Sequence, residues 1–534
     1  MVDEPQPALP TNGAFPARRL LIAAAALSLC ACPRQRSAGS AEELLPDAAQ
    51  GALVSGPLAG IAQNAAAVLQ RAAQLPGGEQ LGSWRAAVTA QLGFDPLNRD
   101  GQLAAGLDPD RAGALVLLPG ATSGWIAALP LDRPDAFAQT VDRVLRERAG
   151  FTNRQDETRG RARVAIYIQE GRRDRVAFAV VRGYGVLARG DDPAAAVAAA
   201  AERPRSASLA EDERLAAARR RLGDQDLTIV APAGSGLLQR LSAHPLPGDL
   251  DIGVTSSSGG VSAKLFFQAP PERAQRIKAS LPGGGGSLVH FLPPDAPFVA
   301  RVGLQPADAL REAKRLPEIV DLSARVGDDV SNEIAAALLP GAALSIDLAP
   351  RANLAALVDF GLTDWQRRSP FETFQVVALA PVGDRARLER AFDAAAHALP
   401  RVGARATRSG SGWQVRYPGG EGPRFGIRDL GGKPVAYLVG GGIVPEQLGE
   451  GPQRGAVVEQ DAGASLQIDF AKLAARVGSL PESSYGSGPQ AYVARSVAAQ
   501  VLEPLGPVRL TLAVLPQDEG ARAEINVAIG PGKP

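Results

Sequence analysis

Few side chains in this sequence are placed as nucleophiles usually are, and Ser235 is the best candidate. It lies between Gly234 and Gly236, after a predicted strand and before a predicted helix. A strand–turn–helix elbow exposes a serine nucleophile in this way, but its pattern is Gly-x-Ser-x-Gly. The sequence here is Ala-Gly-Ser-Gly-Leu, and a histidine base such as His244 would have to be close in space as well as in sequence. The pattern therefore favours a structural Ser235, with a hydrolase as the alternative.

Two short acidic stretches, one with Asp108 and Asp110 and one with Asp191 and Asp192, could supply oxygen ligands to calcium. A calcium loop needs six to eight oxygens, with a glycine at its bend and a terminal glutamate. Neither stretch has that spacing. Asp192 precedes Pro193, so we predict that Asp192 caps a helix whose first residue is the proline. Three histidines, two cysteines and a single methionine also argue against a zinc, copper or haem site. We predict no metal and no cofactor.

The densest basic run is Arg219–Arg221, on a predicted helix that also carries acidic residues at 211–213. Mixed signs along a helix indicate a solvated face, and a patch for phosphate or lipid headgroups is the alternative. Trp413, Val415 and Tyr417 alternate along one strand face, which favours a place in the core over a ligand platform. His397, in an apolar helical stretch, is expected to be partly buried and hydrogen-bonded.

The two cysteines, Cys30 and Cys32, lie at the end of an apolar run that extends from Leu20 to Ala31. A helix of this length is about 18 Å long, too short for a bilayer core of about 30 Å. Its length and the preceding Arg18–Arg19 pair are typical of a secretory signal peptide. The sequence therefore predicts export.

The residues Leu29-Cys30-Ala31-Cys32 resemble the lipobox of bacterial lipoproteins, with Cys32 as the cysteine that is acylated. The competing register would acylate Cys30, but it places the bulky Leu29 where the family's signal peptidase requires a small side chain. The resemblance implies a lipid anchor of two or three acyl chains, enough for lasting attachment. Because Pro33 follows Cys32, where the family's inner-membrane retention signal has aspartate, the outer membrane facing the periplasm is favoured.

Charge and composition exclude several classes of protein. Lysine and arginine number 57 and aspartate and glutamate 56, so no global field attracts nucleic acid. Aromatic residues make up 5% of the chain, too few for an evident base-stacking platform. We expect the membrane as a partner through the lipid anchor, an envelope protein as a possible second partner, and no nucleic acid.

The elements that would position these residues occur twice in the same order. Pro46-Asp47-Ala48 corresponds to Pro294-Asp295-Ala296, and a strand ending at Pro130 corresponds to one ending at Pro381. Each of these two strands is followed by a predicted helix with an acidic cap, Asp135 or Asp384. Strand–helix–hairpin landmarks recur at about 240 to 250 residues, which predicts a duplication.

The predicted organisation is a signal peptide (1–31), a tether (32–43), a first α+β repeat (44–282), a Gly-rich linker (283–290) and a second repeat (291–534). We predict an α+β fold of two similar halves, each a mainly antiparallel sheet covered by helices, in split βαβ or ferredoxin-like units. This pattern resembles uncharacterised duplicated envelope proteins of bacteria, and the resemblance carries no catalytic motif.

We therefore expect a lipid-anchored, non-enzymatic binding or scaffolding module in the cell envelope. An envelope hydrolase that uses carboxylates or Ser235 is one alternative. A transport-linked solute-binding lipoprotein is the other, and it would require a cleft lined by several polar groups.

Overall fold

The computed structural model describes residues 39–119, 124–169, 171, 175–241, 246–282, 286–314, 327–354, 369–449 and 462–530. The predicted signal peptide, Cys30, Cys32 and His244 lie outside these residues. The chain divides into two compact units, one within Met1–Gln70 and Gln80–Ser258 and the other within Arg71–Glu79 and Gly259–Pro534. We call these the first and the second unit. Helices and antiparallel strands are mixed in both, which confirms the predicted α+β class.

The first unit begins with three helices inserted between its first two strands, and two further helices connect β7 to β8. Its strands are β1 (Ala52–Pro57), β2 (Ala112–Leu117), β3 (Trp125–Pro130), β4 (Asn153–Arg159), β5 (Ala162–Ile168), β6 (Arg175–Val181), β7 (Tyr184–Arg189), β8 (Leu227–Ala231) and β9 (Asp249–Ser257). Its helices are α1 (Leu58–Ala72), α2 (Glu79–Leu92), α3 (Arg99–Ala104), α4 (Pro134–Arg143), α5 (Pro193–Glu202), α6 (Glu213–Leu222) and α7 (Gly236–Leu241).

The second unit has longer strands and ends in a long hairpin. Its strands are β10 (Gly260–Gln268), β11 (Phe298–Val302), β12 (Ala342–Leu348), β13 (Phe374–Pro381), β14 (Arg405–Ser409), β15 (Gly412–Tyr417), β16 (Gly420–Leu430), β17 (Lys433–Gly440), β18 (Ala464–Asp469), β19 (Val508–Gln517) and β20 (Gly520–Ile529). Its described helices are α8 (Pro271–Ser280), α9 (Pro306–Ala313), α10 (Asp328–Ala337), α11 (Arg385–Ala398), α12 (Phe470–Gly478) and α13 (Pro489–Val497). None of the helices described in either unit is long and apolar enough to cross a bilayer.

Strand pairing in the first unit follows the order β9-β8-β1-β2-β3-β7-β6-β5-β4, and every pair is antiparallel. The second unit has the order β10-β20-β19-β18-β11-β12-β13-β17-β16-β15-β14, again all antiparallel. The helical connection from β7 to β8 passes three strands, whereas a split βαβ unit passes one. The reason is that β1, β2 and β3 pair side by side, so β8 joins the outer edge of β1. The ferredoxin-like unit in the fold prediction is corrected accordingly.

Each face of the first sheet has its own helical cover where β5, β6 and β7 lie together. On one face the ring of Phe178 in β6 packs against Phe137 of α4, with the ring centroids 5.9 Å apart. Side chains alternate along a strand, so Ala177 and Ala179 of β6 point to the opposite face. Both are buried there, and α5 lies against the same three strands. This part of the sheet is therefore a buried middle layer.

The second sheet is covered on one face by α10 and α11. Phe392 of α11 packs edge-on against Phe425 of β16 at 5.1 Å between centroids. The 3-10 helix Gly286–Phe291 contributes Leu288 and Val289 to a separate cluster with buried residues of β11, β12, β13 and β17. The described end of the predicted Gly-rich linker is therefore helical and packed into the core, while residues 283–285 lie outside the described part.

Asp192 caps α5, as predicted, with Pro193 at the start of the helix. Its Oδ1 accepts a hydrogen bond from the backbone N–H of Ala195 at 3.0 Å. This bond, followed by the Arg159 guanidinium at 3.1 and 3.2 Å, lowers the pKa of Asp192. Asp192 is therefore the N-cap of a helix, as its position before Pro193 predicted.

Two acidic caps were predicted for the helices that follow the strands ending at Pro130 and Pro381. One of these predictions is confirmed and one is wrong. Asp384 caps α11 and accepts a hydrogen bond from the N–H of Arg387 at 2.9 Å. Asp135 does not cap α4, because that helix begins at Pro134 and its N-cap is Arg133, which makes no side-chain cap. Asp135 therefore lies inside the first turn, where a carboxylate interacts only with the helix dipole.

Replacement of Asp384 by alanine should lower the free energy of unfolding by about 1 kcal/mol, since the N–H of Arg387 loses its acceptor. Asp135→Ala is the matched control and should cost at most a few tenths of a kcal/mol. Denaturant unfolding of both variants against the parent chain measures the difference. Equal losses would contradict the cap assignment.

Candidate functional site

Ser235 takes part in the start of α7. Its side chain is 2% exposed, and its Oγ accepts a hydrogen bond from the N–H of Leu238 at 3.2 Å. The hydroxyl thus replaces a backbone acceptor that the first turn of a helix lacks. The structure gives Ser235 a capping role, in line with the structural interpretation of its sequence.

Asp108 and Asp110, the other acidic stretch considered for calcium, make contacts with residues close to them in the sequence. Asp110 accepts two hydrogen bonds from Arg99, both 2.6 Å long. Asp108 accepts one from the N–H of Asp110 at 2.9 Å, and its burial raises the pKa of its carboxyl. Over the whole described part of the chain, no three histidine, cysteine, aspartate or glutamate side chains come together as a metal site requires.

The basic run of α6 is divided between two ion pairs. Arg219 contacts the carboxylate of Glu42 at 3.0 Å, and Arg221 contacts Asp251 of β9 at 3.0 Å. Arg220 between them is exposed. Two of the three guanidinium groups therefore hold α6 in place, as they would on a structural face.

The second unit contains a polar cavity of about 320 Å³ at the end of the sheet that β14–β17 form. It is lined by the β14–β15 turn (Ser409–Ser411), by Arg424 and Arg428 of β16, by Tyr437 of β17 and by Glu446. This volume is at the lower end of the range for ligand pockets, about 300–1,000 Å³. The cavity can hold a small molecule and offers it cationic and hydroxyl groups.

Both arginines of the cavity are held by neutral oxygen atoms. The Nε of Arg424 donates to the side-chain oxygen of Gln414, and the Nη1 of Arg428 donates to the carbonyl oxygen of Pro445. Neither makes an ion pair with any carboxylate in the residues that the structure describes. A guanidinium has five N–H donors, so each keeps donors for a further acceptor. The two guanidinium groups are fixed in place, and the carboxylate of Glu446 lies in the same lining.

Tyr437 brings its hydroxyl into this cavity over two glycines. Gly412 and Gly426 face each other across β15 and β16. A Cβ atom at Gly426 would lie 2.8 Å from the Tyr437 hydroxyl, and one at Gly412 would be closer still. The hydroxyl is hydrogen-bonded to Ser411, and burial raises the pKa of Tyr437. The phenol therefore stays protonated and acts as a neutral hydrogen-bonding group.

Trp413 borders the cavity, but its indole belongs to the other face of the sheet. It pairs with Phe425, and its Nε1 donates to Asp393 of α11 at 3.2 Å. The Arg408 guanidinium lies 5.6 Å above the ring. Next to it, His397 is exposed and lies 2.7 Å from the carbonyl oxygen of Asp393 through Nδ1. The prediction of a partly buried His397 is wrong, because this residue is on the solvent side of α11.

The sequence analysis missed Arg424, Arg428 and Tyr437. One signal was present in the stretch Arg-Phe-Gly-Ile-Arg, residues 424–428. A glycine inside a strand often marks the close approach of another group. Here that group is the phenol of Tyr437. No motif marks this tyrosine in the sequence, and only the pairing of β16 with β17 places it beside Gly426.

Comparison with protein families, curated proteins and solved structures found no match to this chain.

The Arg221–Asp251 pair predicts a pH dependence of stability. Burial raises the pKa of Asp251 from its ordinary 3.8 to about 6, although Arg221 opposes the shift. The folded state thus favours the neutral carboxyl. Its contribution to stability is complete below about pH 4 and is lost as the pH rises through 6.

In Asp251→Asn this loss should disappear, because the amide does not ionise. Thermal unfolding of both proteins between pH 4 and 7 measures the difference. Asp110→Asn, which alters an exposed ion pair, is the matched control and should keep the slope of the parent chain. A parallel pH dependence for Asp251→Asn and the parent would contradict the assignment.

Proposed function

We propose that the protein is an exported, non-enzymatic binding protein, anchored to the outer membrane by acylated Cys32, and that the cavity of its second unit binds a small polar solute. The polar cavity carries the proposal of binding. Export and anchoring are supported by the signal-like run and the lipobox-like residues that end at Cys32.

We propose further that the two units arose by duplication. Without β10 and β20, the strand orders are β9-β8-β1-β2-β3-β7-β6-β5-β4 and β19-β18-β11-β12-β13-β17-β16-β15-β14. Adding ten to each number of the first order yields the second. The landmark prolines also agree, since Pro130 ends β3 and Pro381 ends β13. An identical order of nine strands supports a common origin.

The shared order allows the cavity to be compared with its counterpart in the first unit. From Pro130 and Pro381, two steps across the sheet lead to Val181 of β6 and to Arg428 of β16. The other equivalent pairs are Ala177 with Arg424, Ala179 with Gly426, and Val186 with Tyr437. In the first unit all these side chains are apolar and buried on the face that α5 covers.

The second unit has polar groups at the same positions, and β17 is followed by the short 3-10 helix Pro445–Gln447 where the first unit has α5. Two arginines and a tyrosine in place of alanine and valine add hydrogen-bonding groups, while the ring of Tyr437 remains part of a buried apolar cluster. Buried polar groups are costly unless they have partners. Their presence at one of two equivalent sites favours a ligand-binding role for that site.

The chemistry of the cavity favours binding over hydrolysis. Arginine stays protonated at physiological pH, and Tyr437 with its raised pKa does so as well, so these groups donate hydrogen bonds without moving protons. Among the described residues of the lining Glu446 is the one carboxylate, whereas a carboxylate-pair hydrolase needs two. A convergent set of polar groups also favours a solute-binding protein over a flat scaffold.

Replacement of Cys32 by serine should abolish incorporation of labelled fatty acid and release the protein from membranes, because the anchor is lost. Cys30→Ser is the matched control and should keep both properties. Loss of labelling in Cys30→Ser alone would move the acylated residue to Cys30. Membrane attachment that survives both substitutions would overturn the anchor.

A ligand of the cavity should raise the unfolding temperature of the full chain, by a few degrees when present at 100 times its Kd. We would screen neutral sugars, amino acids, dicarboxylates and phosphate esters with the parent chain. The Arg424→Gln/Arg428→Gln double variant should lose the shift. No shift with any class, or a shift that the double variant keeps, would contradict binding in this cavity.

A further inference from the structure

We propose that Gln414 of β15 is a positioning residue of the cavity, whose side-chain amide fixes the guanidinium of Arg424 in the orientation in which it meets a ligand. The described lining of the cavity includes Arg424 but not Gln414, so the amide acts through the arginine. The inference rests on the proposed binding function and specifies how one of its binding groups is held.

The two side chains are neighbours across two strands. Gln414 pairs directly with Arg424, and both lie on the sheet face of Gly426 and Tyr437. Residues opposite each other in an antiparallel pair have Cβ atoms about 4.5–5.5 Å apart, close enough for direct contact. The Nε of Arg424 donates to the Oε1 of Gln414. Bonding through Nε leaves the terminal amino groups Nη1 and Nη2 for a ligand.

The amide of Gln414 has one orientation, because its nitrogen has partners as well. Its Nε2 donates to the backbone carbonyl oxygens of Val415 at 2.9 Å and of Gly422 at 3.0 Å. Both of these atoms are acceptors, so the amide nitrogen and not the amide oxygen must face them. The oxygen is thereby directed at Arg424.

A β-bulge supplies one of these carbonyl groups. The pairing of β15 with β16 shifts by one residue just after Gln414 and Arg424. Two residues of β16, Gly422 and Pro423, therefore lie opposite Val415 alone. A bulge disturbs the ladder and redirects side chains, and bulges are frequent next to functional sites. Because Gln414 bonds the Gly422 carbonyl, the bulge and the guanidinium are joined through one amide.

Packing at Gly422 holds the bulge in place. A Cβ atom at this position would lie 2.8 Å from the ring of Tyr417 and 2.9 Å from the Cβ of Val415. Carbon atoms of side chains do not approach each other so closely, so glycine is the residue that fits. The support of Arg424 thus extends from the amide into a closely packed part of the sheet.

The first unit has a regular and apolar pair at the equivalent place. Ile166 of β5 and Ala177 of β6 correspond to Gln414 and Arg424. Both are buried, and their register continues unchanged to the end of β5. The bulge and the polar pair therefore occur together in the unit that has the polar cavity. This favours a role in binding over a role in the architecture that both units share.

The test follows the Nε–H of Arg424 by nuclear magnetic resonance in the full acylated chain in detergent, with isotope-labelled arginine. Arg424→Lys assigns the signal, because it removes it. Gln414→Leu should speed exchange of this proton with solvent by about 3- to 10-fold, since one hydrogen bond is lost. Gln414→Glu keeps an acceptor for Arg424 and loses both donor bonds, so exchange should stay slow. The Nε–H of Arg476, which donates to Asp347, is the internal control.

A second measurement connects this arrangement with binding. Calorimetric titration with glucose, glutamate, succinate and glycerol phosphate identifies a compound that binds the parent chain. Gln414→Leu should raise the Kd of that compound by about 3- to 10-fold. Thr407→Val is the matched control and should leave the Kd unchanged, because Thr407 pairs with Gln414 from β14, on the side away from Arg424.

Two results would overturn the positioning role. One is equal exchange of the Arg424 Nε–H in Gln414→Leu and the parent chain. The other is equally fast exchange in Gln414→Leu and Gln414→Glu, which would assign to Gln414 the support of the bulge alone. An unchanged Kd in Gln414→Leu would refute its role in binding. Binding of none of the four compounds, with exchange as expected, would contradict the proposed function, whereas the hold of Gln414 on Arg424 would be established.

Discussion

A sheet inside a compact unit has two faces, and each must be covered or be made of groups that tolerate water. In the first unit the strands β5–β7 meet this constraint with helices on both sides, α4 against Phe178 and α5 against Ala177 and Ala179. In the second unit α11 covers the face that carries Phe425. The opposite face carries Arg424 and Arg428 beside a buried apolar cluster that includes Tyr437, so the same strand architecture leads to a continuous core in one unit and to a core with a polar cavity at its edge in the other.

The buried and half-buried charges of this protein are held either by carboxylates or by neutral oxygen atoms. Taking a charge out of water is costly unless an opposite charge and hydrogen bonds replace the solvent. The pair Arg476–Asp347 follows that rule, with an aspartate that is 7% exposed. At Asp251, which is 3% exposed, burial outweighs Arg221 and raises the pKa of the carboxyl. Arg424 and Arg428 are half-buried and make no ion pair within the described residues. Neutral oxygens orient them, and the carboxylate of Glu446 lies in the same lining.

Local signals in the sequence were sufficient to predict helix starts and strand ends, which neighbouring residues determine. The Asp-Pro pair at Asp192 predicted a helix start, and the prolines Pro130 and Pro381 marked the ends of two strands. The error at Asp135 has a local cause as well, since Pro134 sets the first helical residue one position earlier. Antiparallel sheets were predicted from hairpin-like runs, but the order in which distant strands pair is a property of the whole fold.

The cavity could not be predicted in this way. Arg424, Arg428 and Tyr437 share a surface only because β16 pairs with β17 in one register. In the sequence they are ordinary residues of two neighbouring strands, and the hydrogen-bond partners of the two arginines are visible only in the folded chain. The glycine at 426 was the single local hint, and it indicates a close approach without saying of what.

The contact of Tyr437 with Gly412 and Gly426 also constrains the history of the chain. A side chain at either glycine would occupy the space of the phenol. If an ancestral unit carried an alanine at 426, as the first unit does at the equivalent Ala179, tyrosine could enter at position 437 only after it had been replaced by glycine. Such a replacement removes a methyl group from a strand interior and weakens the strand. On that path the glycine would precede the tyrosine, and the intermediate would be less stable than either end.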